Sequence, residues 1–248
     1  MLDMEKTAAR ENASPAPRRR GRPLIADQTS LTKMDVFERG LQIARTTALQ
    51  DITITEIARA LDVTPAMIHY LITSREGLIS GVMNAFYQRL SVDWPEPAGN
   101  WREHLVAVSH HVRRYYVEYR GVVLYIGAHN RHRVVQQVEV GETDYGLVFL
   151  DRLFQAAMRM RLDAHHTVLF CETLIEFLSA QARAAIVTRL PRAHEPFLRG
   201  VFDKLDPEAY PGIAFASDEL FQTDHETLFE QGLSMMMDAF EIRRAKLI

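Results

Sequence analysis

Ten histidines, one cysteine and a short run of arginines are the residues of this 248-residue chain with the most obvious chemical reach. The histidines raise the question of metal. His110-His111 and His165-His166 are adjacent pairs, and neighbours on a helix point about 100° apart, so they make poor joint ligands. His129 and His132 stand at i, i+3 and could share an ion, but no local carboxylate or cysteine completes a set; no metal and no cofactor are expected. Cys171 has His165 and His166 more than a turn away and falls on an apolar stripe, which describes a buried, inert thiol. G-x-S-x-G, a glycine-rich phosphate loop and H-E-x-x-H are all missing, so catalysis is not expected. What remains is polar chemistry aimed outward. Arg18, Arg19, Arg20 and Arg22 carry four positive charges with no acid nearby, and Thr64, Pro65, Ala66, His69 and Tyr70 crowd into one short piece. Such groups suit phosphate oxygens and base edges.

The charge is spread unevenly. Residues 1–90 hold twelve Lys/Arg against ten Asp/Glu, and residues 91–248 hold seventeen against twenty-two. A basic arm, a near-neutral block and an acidic remainder point to an anionic partner at one end only. The composition, 47% hydrophobic and 25% charged, is ordinary for a globular protein. No apolar run reaches the roughly 18 residues of a membrane span, so no membrane partner is expected. The first thirty residues lack an apolar signal core, and a single cysteine fits a reducing compartment; a cytoplasmic location is expected.

The elements that must position these residues read as all-α. Residues 1–28, rich in Pro, Ala and Arg, form a disordered basic arm. Apolar spacing predicts a first helix of roughly Thr32 to Thr47, with "TTALQDI" as connector. Thr53-Ile54-Thr55-Glu56 matches a capping box and opens a second helix to about Leu61. Thr64-Pro65 is another start signal, for a third helix of only Pro65 to Leu71. Thr73-Ser74-Arg75-Glu76 starts a fourth, to about Leu90. Two short helices joined by a few residues, apolar on one side and polar on the other, make a helix-turn-helix, whose second helix fits a DNA major groove about 12 Å wide. On this reading His69 and Tyr70 face outward, while Ile68 and Leu71 point in toward Ile57 and Leu61. Short helices are also common in any helical bundle, so spacing alone leaves both readings open.

"DWPEPAGN", residues 93–100, is the best internal boundary and divides a DNA-binding domain (29–92) from a larger helical domain (93–248). Beyond it, Trp101, Leu105, Val108, Val112, Tyr115 and Tyr119 form one apolar stripe. Helices are expected around Val122–Asn130, Tyr145–Met160, 165–189 and Asp224–Arg244, and "PEAYPGIAFASD" (207–218) reads as loop or broken helix. Helix 165–189 shows two apolar faces: Val168, Cys171, Ile175, Leu178 and Ala182, and Phe170, Leu174 and Phe177. One face can serve the subunit core and the other a partner, although both can also be core.

From "RGRP" to the "SREGL" at 74–78, the segment resembles the DNA-binding domain of the TetR (tetracycline repressor-like) family, over roughly residues 30–90. The matching elements are the first helix, "TITEIARALDVTPAMI" and "SREGL". The resemblance implies phosphate and base contacts at Thr55, Thr64, Pro65, Ala66, His69, Tyr70 and Arg75, with Arg75 in place of the usual lysine. Where the family commonly has Leu-Tyr-x-His-Phe, this chain has Ile68-His69-Tyr70-Leu71-Ile72, which alters the contact pattern. It also implies a homodimer on a palindromic double-stranded operator, made through the last long helices, and a repressor released by a small apolar or amphipathic effector. The aromatic supply of the second half offers His111, Tyr115, Tyr119, His129, Phe149, Phe154, Phe170, Leu174 and Phe177 as ligand-binding candidates. The arginine arm suits entry into a narrow minor groove, or is a solvated tail. An architectural DNA-binding protein with no effector is the alternative; it predicts a filled core where a regulator predicts a void.

Overall fold

Thr32, Thr53, Ser74 and Asn100 each stand one residue before a helix, and each side chain accepts a bond from the backbone N–H three residues on. These four caps decide where the chain turns helical. At Thr32, Thr53 and Asn100 the third helical residue (Asp35, Glu56, Glu103) returns the bond through its carboxylate, completing a capping box. The computed structural model describes residues 31–129, 134–187 and 190–247, and among them every regular element is a helix. In chain order they are α1 (Lys33–Ile43), α2 (Ile54–Ala60), α3 (Pro65–Leu71), α4 (Arg75–Val92), α5 (Trp101–Glu118) and α6 (Arg120–Ala128). There follow α7 (Tyr145–Met158), α8 (Ala164–Val187), α9 (Glu195–Phe202), α10 (Pro211–Gln222) and α11 (His225–Leu247). The fold class is all-α, as read from the sequence.

α4 is the spine. It packs against α1 on one side and α7 on the other, while α5, α6, α7 and α11 pack on α8. The α1–α4 contact is close because it is built on glycine: a Cβ on Gly40 would sit 2.6 Å from Val82 Cγ2, and one on Gly81 would enter the Phe37 ring. Behind them lies an aromatic cluster. Phe86 meets Tyr87, Tyr116 and Tyr119, and Tyr87 stacks on Phe149 at 5.3 Å between centroids. All five rings are buried, and such packing supplies most of the hydrophobic stabilisation in a helical fold.

Several boundaries differ from expectation for local reasons. α1 stops at Ile43 because the chain turns there and then forms a 3₁₀ turn at Leu49–Asp51. α6 lies two residues nearer the N-terminus than expected, and α7 stops at Met158. The stretch read as loop or broken helix at 207–218 holds most of α10: Pro211 sits in its first turn, where proline costs nothing. α9, preceded by a 3₁₀ turn at Pro191–His194, carries Pro196 in its first turn and was not anticipated. On α8 the two expected faces divide differently. Phe170, Cys171, Leu174, Leu178 and Ala182 are buried together, whereas Val168 and Leu169 are exposed.

Candidate functional site

The turn between α2 and α3 is set by backbone chemistry. Asp62 adopts φ 55°, its N–H donates to the Arg59 carbonyl at 3.3 Å, and Val63 N–H donates to Ala58 O at 3.0 Å. That pair of bonds is a Schellman motif, with aspartate in the left-handed position glycine usually takes. It ends α2 abruptly and lets Thr64-Pro65 start α3 at once. α3 is then held by little: Ile68 is buried against the same core as Ile57 and Ala58, and Leu71 is half-buried. Ile68 and Ile57 point inward as expected, while Leu61 and Leu71 only partly do.

Everything else on α3 faces outward. Thr64, Pro65, Ala66, Met67 and His69 are exposed, and Tyr70 is 87% exposed. Thr64 takes the N-cap position without a side-chain cap bond, so its hydroxyl is not committed to the helix. Thr55, in the first turn of α2, is exposed too. The Thr53–Glu56 box holds the Glu56 carboxyl below its ordinary value, through the Thr53 backbone bond first and the hydroxyl second. α2 is thus firmly started beside a lightly anchored, outward-facing α3. The arm residues Arg18, Arg19, Arg20 and Arg22 lie outside the described residues.

Arg75 opens α4 but turns back. Its Nη1 donates to the Ile52 carbonyl at 3.2 Å and its Nη2 to the Gln50 carbonyl. A planar fork spanning two carbonyls ties the connector before α2 to the start of α4. The side chain remains exposed, yet its main donors are already used within the chain.

At its other end α4 meets the larger helices. The Leu90 carbonyl accepts from His111 Nε2 at 2.7 Å, and the Ser91 carbonyl accepts from Arg152 Nη1 at 2.5 Å. Because Leu90 O can only accept, His111 carries its hydrogen on Nε2 and leaves Nδ1 to face Arg114 Nη2 at 3.3 Å. Burial, first of all, holds the His111 pKa below its ordinary value, and Arg114 acts in the same sense. A second tie joins α1 to the α5–α6 corner. Gly121 N–H donates to Ala44 O at 2.8 Å, Arg45 pairs with Glu118 and lies 5.2 Å over the Tyr119 ring, and Arg89 pairs with Glu38 at 2.7 Å.

Of the nine ligand candidates, the fold gathers four. His111, Tyr115, Tyr119 and Phe149 join one ring network through Phe86, Tyr87 and Trp94. His129 lies over Tyr125, its Nδ1 2.9 Å from the Tyr125 carbonyl. Phe170 and Phe177 instead contact α11, edge-on to Phe240 and stacked on Phe229, and Leu174 is buried in the core. Phe154 lines an apolar groove of about 340 Å³ with Met158, Leu162 and Val168. Cys171 is buried, and burial pushes its thiol up to about 12, so it stays protonated and unreactive.

A cleft of about 370 Å³ lies elsewhere, between the end of α4, the 93–100 loop, the start of α5 and the end of α7. Its chemistry comes from His104, Arg152, Arg159 and Trp94, none of which the sequence reading singled out. One signal was present: Arg152 and Arg159 stand seven residues apart, which puts both on one side of α7 and its C-cap. Among the described residues, no group of three or more His, Cys, Asp or Glu could hold a metal ion, and no helix is long and apolar enough to cross a membrane.

No protein-family model and no curated protein matches the chain. Solved structures match over most of its length. Apo ActR from Streptomyces coelicolor superposes with a TM-score of 0.72 at 18% identity, covering 90% of this chain and 100% of its own. ActR, described as a TetR family protein, in complex with actinorhodin gives 0.69 at 18% identity, covering 87% of this chain and 99% of its own. The regulator SCO7222, a TetR from the same organism, gives 0.64 at 15% identity over 84% of this chain and 97% of its own. The outward α3, the long α4 behind it and the helical body beyond are thus parts of one known architecture, and the chain has the fold of the TetR-family transcriptional regulators.

Proposed function

We propose that this chain is a sequence-specific, DNA-binding transcriptional regulator that works as a homodimeric repressor and leaves its operator when a small ligand binds. The observation that carries the reading is α3: a two-turn helix led by Thr64-Pro65, held by Ile68, with His69 and Tyr70 turned to solvent. A helix of that length fits the major groove when a second helix braces it. The likeness to ActR, solved with (S)-DNPA and with actinorhodin, supports a ligand-responsive role. Arg18, Arg19, Arg20 and Arg22 extend the footprint into the minor groove.

One short helix reads too few base pairs to be specific, so two copies must act together, with reading helices about 34–36 Å apart. α8 and α11 are the proposed pairing surface. Val168 and Leu169 on α8 and Leu228, Met235 and Ile242 on α11 are exposed apolar residues on helices that already pack on each other, and two such pairs form a four-helix interface across a two-fold axis. α4 is the lever. It spans about 27 Å at 1.5 Å per residue, from the Arg75 fork to the carbonyls gripped by His111 and Arg152. A ligand that prefers one setting of α4 shifts the population by its differential affinity.

Selection of bound fragments from a random DNA pool tests the reading. A palindromic consensus, with half-sites about one helical turn apart, is expected. Binding without enrichment of any sequence would favour an architectural protein and refute the regulator.

A further inference from the structure

The cleft at the lower end of α4 combines a buried histidine with two arginines. His104 is 4% exposed, and its Nε2 lies 3.2 Å from the Pro95 carbonyl. A carbonyl can only accept, so Nε2 carries the hydrogen and Nδ1 is left as a bare acceptor. That Nδ1 is buried and without a partner. Arg159 sends Nη2 to the Gly99 carbonyl at 2.8 Å, while its Nη1 is buried and likewise unpaired. Arg152 adds a second guanidinium, with one donor on Ser91 O. Glu96 is the one acidic side chain of the lining and is exposed. The wall thus offers two cations, with one buried charged donor and one buried ring nitrogen, beside the flat apolar surfaces of Trp94 and Pro97.

Buried polar atoms without partners are rare in folded proteins, and each is costly unless something satisfies it. An unpaired donor and an unpaired acceptor on two residues that line one cleft call for a ligand carrying the reverse pair. A guanidinium N–H takes a carboxylate best, and a bare imidazole nitrogen takes a hydroxyl hydrogen. About 370 Å³ falls within the range of small-molecule sites.

We propose that this cleft binds a small organic acid with a ring-sized apolar body, its carboxylate on Arg159 with Arg152 close by, its hydroxyl on His104 Nδ1, and its ring against Trp94. The ligand would also tighten the lower grip on α4, since Arg152 already holds the Ser91 carbonyl. That consequence rests on the regulator reading; the binding itself does not.

The test uses the full chain, without DNA, in titration calorimetry with 3-hydroxy-2-naphthoate, its carboxamide, and 2-naphthoate. The hydroxy acid is expected to bind, the carboxamide at least tenfold more weakly, and the acid lacking the hydroxyl more weakly than the hydroxy acid. Arg159→Gln should bind acid and carboxamide alike, with its melting temperature confirming that it is folded. His104→Phe should lose only the preference for the hydroxyl. Equal binding of acid and carboxamide by the unaltered protein, no binding of any of the three, or an acid preference surviving in Arg159→Gln overturns the proposal. Operator release is then measured separately with the same acid. Binding through Arg159 without release upholds the cleft and removes it from the regulatory mechanism, whereas release with no dependence on Arg159 upholds the regulator and overturns the cleft.

Discussion

α3 and the cleft at the far end of α4 treat polar groups in opposite ways. On α3, Thr64, His69 and Tyr70 are turned to solvent, and one buried side chain, Ile68, holds the helix down. In the cleft, His104 and Arg159 are drawn inward with an atom each left unpaired. Exposed polar groups exchange water for phosphate or base edges at little net cost, which suits a surface that must bind and release. Buried ones gain most from a single complementary partner, which suits recognition of one ligand. Between them run two ties: α4 itself, and the junction of α1 with the α5–α6 corner.

Of the two ties, the junction of α1 with the α5–α6 corner is the more easily disrupted. A Cβ on Gly121 would press into the Thr47 carbonyl and lie 2.7 Å from Ala44 O, and backbone cannot swing aside as a side chain can. Gly121→Ala is expected to cost roughly 2–3 kcal/mol, read as a lower melting temperature. Gly127→Ala is the control: the added carbon meets the Arg183 side chain, whose flexible end can move, so its melting temperature should change little.

At the other end of α4, Arg75 either positions α2 or contacts DNA. If its fork on Gln50 O and Ile52 O is its main task, Arg75→Ala weakens operator binding about tenfold by loosening the base of α2, and the log–log salt slope stays unchanged. A slope reduced by about 0.9 would instead make it a phosphate contact. Arg75→Lys should recover little, because an ammonium cannot span two carbonyls.

Smaller effects come from the caps and from His111. Thr53→Ala removes the α2 capping box and is expected to cost about 1 kcal/mol in thermal unfolding. Glu56 adds a pH dependence: its pKa is lowered in the fold, so its contribution is present above the ordinary carboxylate value and is lost as pH falls through the lowered one. His111 acts in a higher window. Its folded pKa lies below the ordinary 6.5, so on acidification from about pH 6.5 the unfolded chain takes up a proton first, and stability falls. His111→Gln should flatten that part of the melting-temperature profile between about pH 7 and 5.5. An unchanged profile would show that His111 is not the titrating group.

How much of this the sequence disclosed follows from the range of the forces involved. Thr53-x-x-Glu56 and Thr64-Pro65 are local signals, and α3 begins and ends at the expected residues because nothing distant is needed to set it. The outward face of α3 followed from the same spacing. The cap at Asp62 was not legible, since a left-handed aspartate has no fixed residue signature. α10 was hidden by Pro207, Pro211 and Gly212, which read as a loop until Pro211 is placed in a first turn. That Arg75 binds two carbonyls of its own chain was not legible, because those partners lie more than twenty residues earlier. The cleft depends on α4, α5 and α7 meeting, and periodicity on one helix does not say which polar residue of another will face it. The same limit scattered the nine ligand candidates, with His111 and Phe149 in one ring network and Phe170 and Phe177 against α11.

Tyr70→Ala probes the proposal that α3 reads DNA, because that side chain is nearly free of the protein. Operator affinity and melting temperature are measured on the same variant preparation. The expected result is an affinity lower by about tenfold or more with an unchanged melting temperature; full operator affinity in a folded Tyr70→Ala variant would mean that α3 does not read DNA.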